Sequence, residues 1–207
     1  MKLYYQIPSF LQALYRGVVW RMDSSSKVVY LTFDDGPVPE VTPHLLDILR
    51  QADVKATFFM VADNAKRYPD LLKRVREEGH HVANHTMHHL KGYRYSTAEY
   101  MEDVRLADQV LSGTRAFRPP YGKITLAQKL ALRRAGYQIY LWDVLTHDYD
   151  KDYTPQRMMR IIQSCTRNGS IINFHDSVKS GERMLTTVPM AITWLKQQGY
   201  EFKLIDE

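Results

Sequence analysis

Short apolar runs alternate with amphipathic stretches along the chain from Val28 to the C-terminus. VVYLTF (28–33), ATFFMV (56–61), YQIYLW (137–142) and SIINF (170–174) are too short and too uniformly apolar for surface helices, and they read as buried strands. Between them the apolar positions recur with a helical period. Leu45, Leu46, Ile48 and Leu49 form one stripe, with Thr42-Pro43 as its cap and first turn. Leu71, Leu72 and Val75 form another, opened by Pro69 and stopped by Gly79. Ser96 and Glu99 have capping-box spacing ahead of Met101, Val104 and Leu111. Further helices are predicted from Leu126 to Gly136, from Thr154-Pro155 to Gly169, and through Met190, Ile192 and Leu195 to Gly199, leaving FKLI as a closing strand. Strand–helix alternation with short connections predicts an α/β domain with parallel strands and right-handed crossovers, as a sheet or barrel.

A single main domain is expected over residues 27–207, with residues 1–26 as a short N-terminal helical extension packing on it. Phe10, Leu11, Leu14, Tyr15, Val18 and Val19 would share one face of that helix. A membrane-surface contact through residues 10–19 is the alternative use of the same face. Gln6, Pro8, Gln12 and Arg16 interrupt the stretch, so neither a secretory signal nor a transmembrane span is expected, and a cytoplasmic location follows as the expectation.

Composition changes this picture little. The 207 residues suffice for one core. The net charge of +5 is dispersed, and the basic stretches Lys73–Arg76 and Arg133-Arg134 lie in helical patterns, so no nucleic-acid partner is expected. The single cysteine, Cys165, excludes an intramolecular disulfide and is expected to be a buried thiol. Nothing in the sequence sets the oligomeric state.

The candidate chemistry sits just after the strands. In parallel α/β proteins, ligands and catalytic groups gather at the carboxyl ends of the strands. Asp34 and Asp35 follow VVYLTF; one carboxylate can hold a metal while its neighbour acts as base. His85 and His89, in HTMHH, have the spacing that places two imidazoles on one face of a helical turn, and two histidines with a carboxylate suit catalytic zinc. His80, His81 and His88 compete for that role; the first two flank a strand and read as structural, and His88 points off the shared face. Arg118 and Tyr121 lie in the rigid turn RPPYG, where a guanidinium can orient an aspartate and a backbone N–H can serve an oxyanion. His175 closes IINFHD as a candidate proton donor to a leaving amine, with Asp148 to fix its tautomer.

These motifs, in this order, resemble the polysaccharide deacetylase family, carbohydrate esterase family 4, over Val28 to the C-terminus. TFDDGP (32–37) and HTMHH (85–89) are its most specific parts, and RPPYG and FHD agree. The resemblance implies a distorted (β/α) barrel and a divalent metal, zinc first with cobalt, nickel or manganese as alternatives, held by Asp35, His85 and His89. It implies Asp34 as general base oriented by Arg118, the Tyr121 N–H as oxyanion donor, and His175 with Asp148 as general acid. The substrate implied is an acetylated amino-sugar oligo- or polysaccharide, losing N-acetyl (or O-acetyl) groups, with Pro120, Tyr149 and Asn173 in its binding surface. Tyr149 stands where the family often has tryptophan, and Asn173 where it usually has a leucine against the acetyl methyl. An amide hydrolase for a small non-carbohydrate substrate and a non-catalytic glycan-binding domain are the alternative readings.

Overall fold

The computed structural model describes residues 5, 6, 12, 15–22 and 25–205. In chain order the elements are β1 (Val18–Val19), β2 (Val28–Asp34), α1 (Thr42–Gln51), β3 (Thr57–Met60), α2 (Ala62–Arg67), α3 (Pro69–Glu77), β4 (His81–Asn84), α4 (Thr97–Leu111), β5 (Ala116–Phe117), α5 (Leu126–Arg134), β6 (Gln138–Tyr140), β7 (Val144–Leu145), α6 (Pro155–Cys165), β8 (Ile171–His175), α7 (Gly181–Gln197) and β9 (Glu201–Phe202). The strands pair in parallel in the order β1-β6-β5-β4-β3-β2-β8-β7, and β9 pairs with the start of β2. The chain leaving β6 reaches β7 without a helix, and on the way Asp143 N–H donates to Ile171 O. That short link carries the chain from β6, next to the β1 edge, to β7 at the opposite edge of the sheet, and the fold is a distorted (β/α) barrel, as expected.

The strands place the site through their pleat. Every residue of β2 is buried, but on two different sides. Val29, Leu31 and Phe33 pack with Leu45, Leu46 and Leu49 of α1 and with Val188, Ile192 and Leu195 of α7 in the main core under the helices. Val28 and Tyr30 face the barrel interior with Phe59, Ala83, Ala116, Tyr140 and Ile171. Side chains two residues apart share a face, so the interior row runs from Val28 and Tyr30 to Thr32 and Asp34. The same step leads from Ala83 to His85, from Ala116 to Arg118, from Tyr140 to Trp142, and from Ile171 to Asn173 and His175. An apolar plug thus fills the bottom of the barrel, and polar groups line its carboxyl end.

Several local expectations are met. Ser96 and Glu99 form a reciprocal capping box at α4, Thr154 caps α6, and Cys165 is buried. Others are corrected. Thr42 is not a cap: its hydroxyl accepts from Val38 N–H and donates to Asp176 across the domain. Val18 and Val19 are not on a helical face but form β1 beside β6, because their backbone completes a parallel ladder with Ile139 and Tyr140. Phe10, Leu11 and Leu14 lie outside the described residues. The closing strand is Glu201–Phe202 rather than FKLI, and α2, which the apolar pattern did not announce, fills the space after β3 with buried Ala62 and Ala65. Among the described residues, no helix is long and apolar enough to cross a membrane.

Candidate active site

One cleft of about 440 Å³ opens at the carboxyl end of the strands. Its walls include Asp34, Asp35, His85, His89, Tyr121 and His175, together with Trp142, Leu145 and Tyr149. Residues from separate turns therefore converge on one space.

On one wall lie Asp35, His85 and His89. Asp35 Oδ1 is 3.1 Å from His89 Nε2 and 3.7 Å from His85 Nε2. That oxygen is buried without a hydrogen-bond partner, a costly state for a carboxylate unless a cation takes its place. His85 Nδ1 lies 2.7 Å from Arg118 O. A carbonyl only accepts, so Nδ1 carries the proton and Nε2 keeps its lone pair toward Asp35. Burial lowers the His85 pKa to about 4, so the ring is neutral at neutral pH. Burial by itself would raise the Asp35 pKa, but the His89 contact and the charges of His175, His85 and His89 outweigh it and hold the carboxyl well below its usual range. A carboxylate and two imidazoles with converging donor atoms are what a divalent cation requires, and the donor atoms of all three residues lie within 4.8 Å of one another.

The route to this geometry differs from the helical turn expected from spacing. Residues 85–89 form an irregular turn in which Thr86 and His89 have φ of 67° and 55°. Asn84 Oδ1 accepts from Thr86 N–H, and Asp103, reaching from α4, accepts from the N–H groups of Met87 and His88 and contacts His88 Nδ1 at 2.5 Å. His88 is thereby turned away from the cleft. His80 is buried, its Nδ1 accepting from Ala56 N–H, and His81 Nδ1 contacts Ile205 O, so both serve the fold.

Asp34 ends β2 opposite His175, its cross-strand partner. Arg118 is completely buried; its Nη1 donates to Asp34 Oδ1 at 2.6 Å, and Nη2 to Leu141 O at 3.0 Å. The guanidinium also lies 3.9 Å over the Phe59 ring, which fixes its plane. Across the cleft, His175 Nδ1 sits 2.8 Å from Asp148 Oδ1, while Asp148 Oδ2 accepts from the His175 backbone N–H. Burial would lower the His175 pKa, but Asp148, by charge and by hydrogen bond, together with Asp35 and Asp34, raises it to about 9. The ring can therefore donate a proton at neutral pH.

Tyr121 stands exposed at the mouth, its ring 4.7 Å from that of His89 and its backbone at φ 60°. Tyr149 lies edge-on to His175 at 5.1 Å. Two residues expected in the substrate surface are buried. Pro120 is buried within the RPPYG turn and does not line the cleft. Asn173 is also fully buried, hydrogen-bonded to Asp34, Arg118 and Thr32, and does not line the cleft. Its register neighbour Leu145, on β7, does.

Asp176 stands beside His175 in the cluster that closes IINFHD, where the sequence assigns it no role. It accepts from Gly36 N–H at 3.0 Å and from the Thr42 hydroxyl at 2.8 Å. A Cβ on Gly36 would fall 1.9 Å from Asp176 Oδ2, so only glycine fits against that carboxylate. Asp176 thus clamps the turn that follows Asp35. The adjacency of Asp176 to His175 was the available signal; the contact itself joins residues 140 positions apart.

The family model for polysaccharide deacetylase matches residues 21–140. The chain is 34% identical over 203 residues to a peptidoglycan-N-acetylglucosamine deacetylase of Bacillus cereus, covering 92% of each. It is 35% identical over 170 residues to a chitooligosaccharide deacetylase of a Bradyrhizobium strain, covering 79% of this chain and 77% of the relative. Among solved structures, the Bc1960 peptidoglycan N-acetylglucosamine deacetylase in complex with a naphthyl N-hydroxybenzamide superposes with a TM-score of 0.89 at 29% identity, over 95% of this chain and 94% of that one. The chain belongs to the polysaccharide deacetylase family.

Proposed function

We propose that this protein is a metal-dependent hydrolase that removes N-acetyl groups from an amino-sugar glycan. The observation that carries the reading is the cleft itself: a cation-ready Asp-His-His set, an arginine-held carboxylate and an aspartate-held imidazole face the same space. Asp35, His85 and His89 would hold the cation, zinc first by ligand type, with cobalt, nickel or manganese accepted by the same donors. When bound, the cation supplies Lewis acidity, polarising the acetamide carbonyl and making water a stronger acid.

Asp34 takes the proton of the attacking water, and Arg118 aims its carboxylate for that transfer. The new C–O bond forms as the carbonyl electrons move to oxygen, and the Tyr121 backbone N–H is the donor for that charge. His175 then delivers its proton to the sugar nitrogen as the C–N bond breaks, and Asp148 steadies the ring through the transfer. Acetate and the free amine are the products. Trp142, Leu145 and Tyr149 supply apolar surface for the acyl group and sugar. The relatives act, by their names, on peptidoglycan N-acetylglucosamine and on chitooligosaccharide; an N-acetylglucosamine-containing glycan is the shared substrate.

The test is acetate release from a short N-acetylglucosamine oligomer by metal-stripped enzyme, with and without added zinc or cobalt. Release only on metal addition is the expected result. Release that ignores metal, or none from any loaded sample while simple acyl amides are hydrolysed, would overturn it.

A further inference from the structure

We infer that Asn173 is a positioning residue for the reaction, holding the second oxygen of the Asp34 carboxylate while Arg118 holds the first. The inference rests on Asp34 being the general base.

Asn173 Nδ2 donates to Asp34 Oδ2 at 3.1 Å, and its Oδ1 accepts from Arg118 Nη1 at 2.7 Å and from the Thr32 hydroxyl at 3.1 Å. The orientation of the amide follows from chemistry. A guanidinium can only donate and a carboxylate can only accept, so the flipped amide would set NH₂ against Arg118 and C=O against Asp34. The register explains the meeting: Thr32 and Asn173 are cross-strand partners, and Asp34 is two residues on from Thr32, on the same interior face. The result is a closed network. Arg118 Nη1 touches Thr32 Oγ1 at 2.8 Å, Asp34 Oδ1 at 2.6 Å and Asn173 Oδ1 at 2.7 Å, and Asn173 returns a hydrogen bond to Asp34.

What this adds is control of the carboxylate plane. An aspartate turns easily about its Cβ–Cγ bond, and a single contact to Oδ1 leaves that rotation open. A second hold on Oδ2 closes it, so Asp34 presents a defined lone pair to the cleft. A neutral amide does this without competing for the proton. The same arrangement takes Asn173 out of the acyl surface. It is completely buried, its polar atoms are satisfied, and its neighbour Leu145 faces the cleft instead. The apolar group expected two residues before His175 is therefore supplied from the adjacent strand.

The test uses Asn173→Leu, which removes both halves of the network, and Asn173→Asp, which keeps the oxygen toward Arg118 but has no hydrogen for Asp34. Steady-state kinetics on acetylated and propionylated glucosamine oligomers are read beside a cobalt titration followed by absorption. Both variants should lose about tenfold or more in kcat with KM within about twofold. Cobalt affinity and the acetyl-to-propionyl ratio should stay as in the parent. Retained kcat in either variant, loss of cobalt affinity in step with kcat, or a changed acyl ratio would overturn the inference. Should neither variant fold, as judged by thermal melting, Leu145→Ala decides. A shifted acyl ratio there supports the placement of Asn173 behind the wall, and an unchanged ratio returns the acyl surface to position 173 and overturns it. Asp34→Asn is run alongside: if it turns over normally, the assignment of the base fails, whatever the Asn173 variants do.

Discussion

Asp35, Thr86, His89 and Tyr121, around the cation side of the cleft, all have left-handed backbone, with φ of 84°, 67°, 55° and 60°. On the opposite side, Asp34, Asn173 and His175 are ordinary strand residues, aimed by the pleat and by their register. A left-handed conformation costs an L-residue roughly 1–2 kcal/mol, and it persists only where surrounding bonds insist on it. Around Asp35, Thr86 and His89, the side chains of Asn84, Asp103 and Asp176 supply those bonds. The cation side is thus built from turns held by remote side chains, and the proton-transfer side from the sheet. The first should be separable from the second by mutation.

The sharpest break comes from the two ends of that division. Asp34→Asn is expected to lower kcat by about 10²–10⁴-fold, the range of general-base catalysis, while a cobalt titration shows the cation still bound. His85→Ala should do the reverse, abolishing cation binding and with it turnover, as the same titration would show. If Asp34→Asn also released the cation, the two sides would not be independent.

Gly36→Ala attacks the clamp rather than any ligand. Its Cβ would overlap the Asp176 carboxylate, and overpacking of that kind costs about 1–3 kcal/mol. Chemical denaturation should show the loss, and the cation titration should weaken with it because Asp35 adjoins the displaced turn. Unchanged cation affinity would mean that the clamp serves stability alone.

The smallest effect belongs to the sheet side. In metal-free protein, the His175 pKa is raised from 6.5 to about 9, chiefly by Asp148 against the opposing pull of burial. A group whose pKa rises on folding stabilises fully below its unfolded value and loses that contribution as pH climbs through the folded one. Stability should therefore decline between pH 6.5 and about 9. Asp148→Asn should flatten that decline, measured by denaturation in chelator; a slope equal to the parent's would remove the pair from the account.

Much of this could be read before the fold was known. The order of apolar runs announced a parallel α/β domain, and the polar clusters behind them marked where the site lies. The interior row is visible in retrospect from a step of two: Tyr30, Thr32 and Asp34, or Ile171, Asn173 and His175. Asn173 nevertheless misled, because a position two residues before a catalytic histidine says which face the side chain takes but not which neighbours wait there. Pro120 lies off the cleft for a similar reason, since a residue inside a functional turn need not line the functional space. The spacing of His85 and His89 suggested a helical turn, yet the imidazoles meet through positive φ, which depends on Asp103, fourteen residues beyond His89.

The sequence by itself determined the periodicities: which stretches become strands, which faces are apolar, and hence which end of the barrel carries carboxylates and imidazoles. Those are local properties, set by side-chain alternation and by the cost of burying unpaired polar groups. Only the tertiary structure decided the pairings across distance, Arg118 and Asn173 on Asp34, Asp148 on His175, and Asp176 on Gly36. These depend on strand register and on close approach between segments as far as 140 residues apart, where angstrom-scale distances, not residue types, decide whether two groups bond.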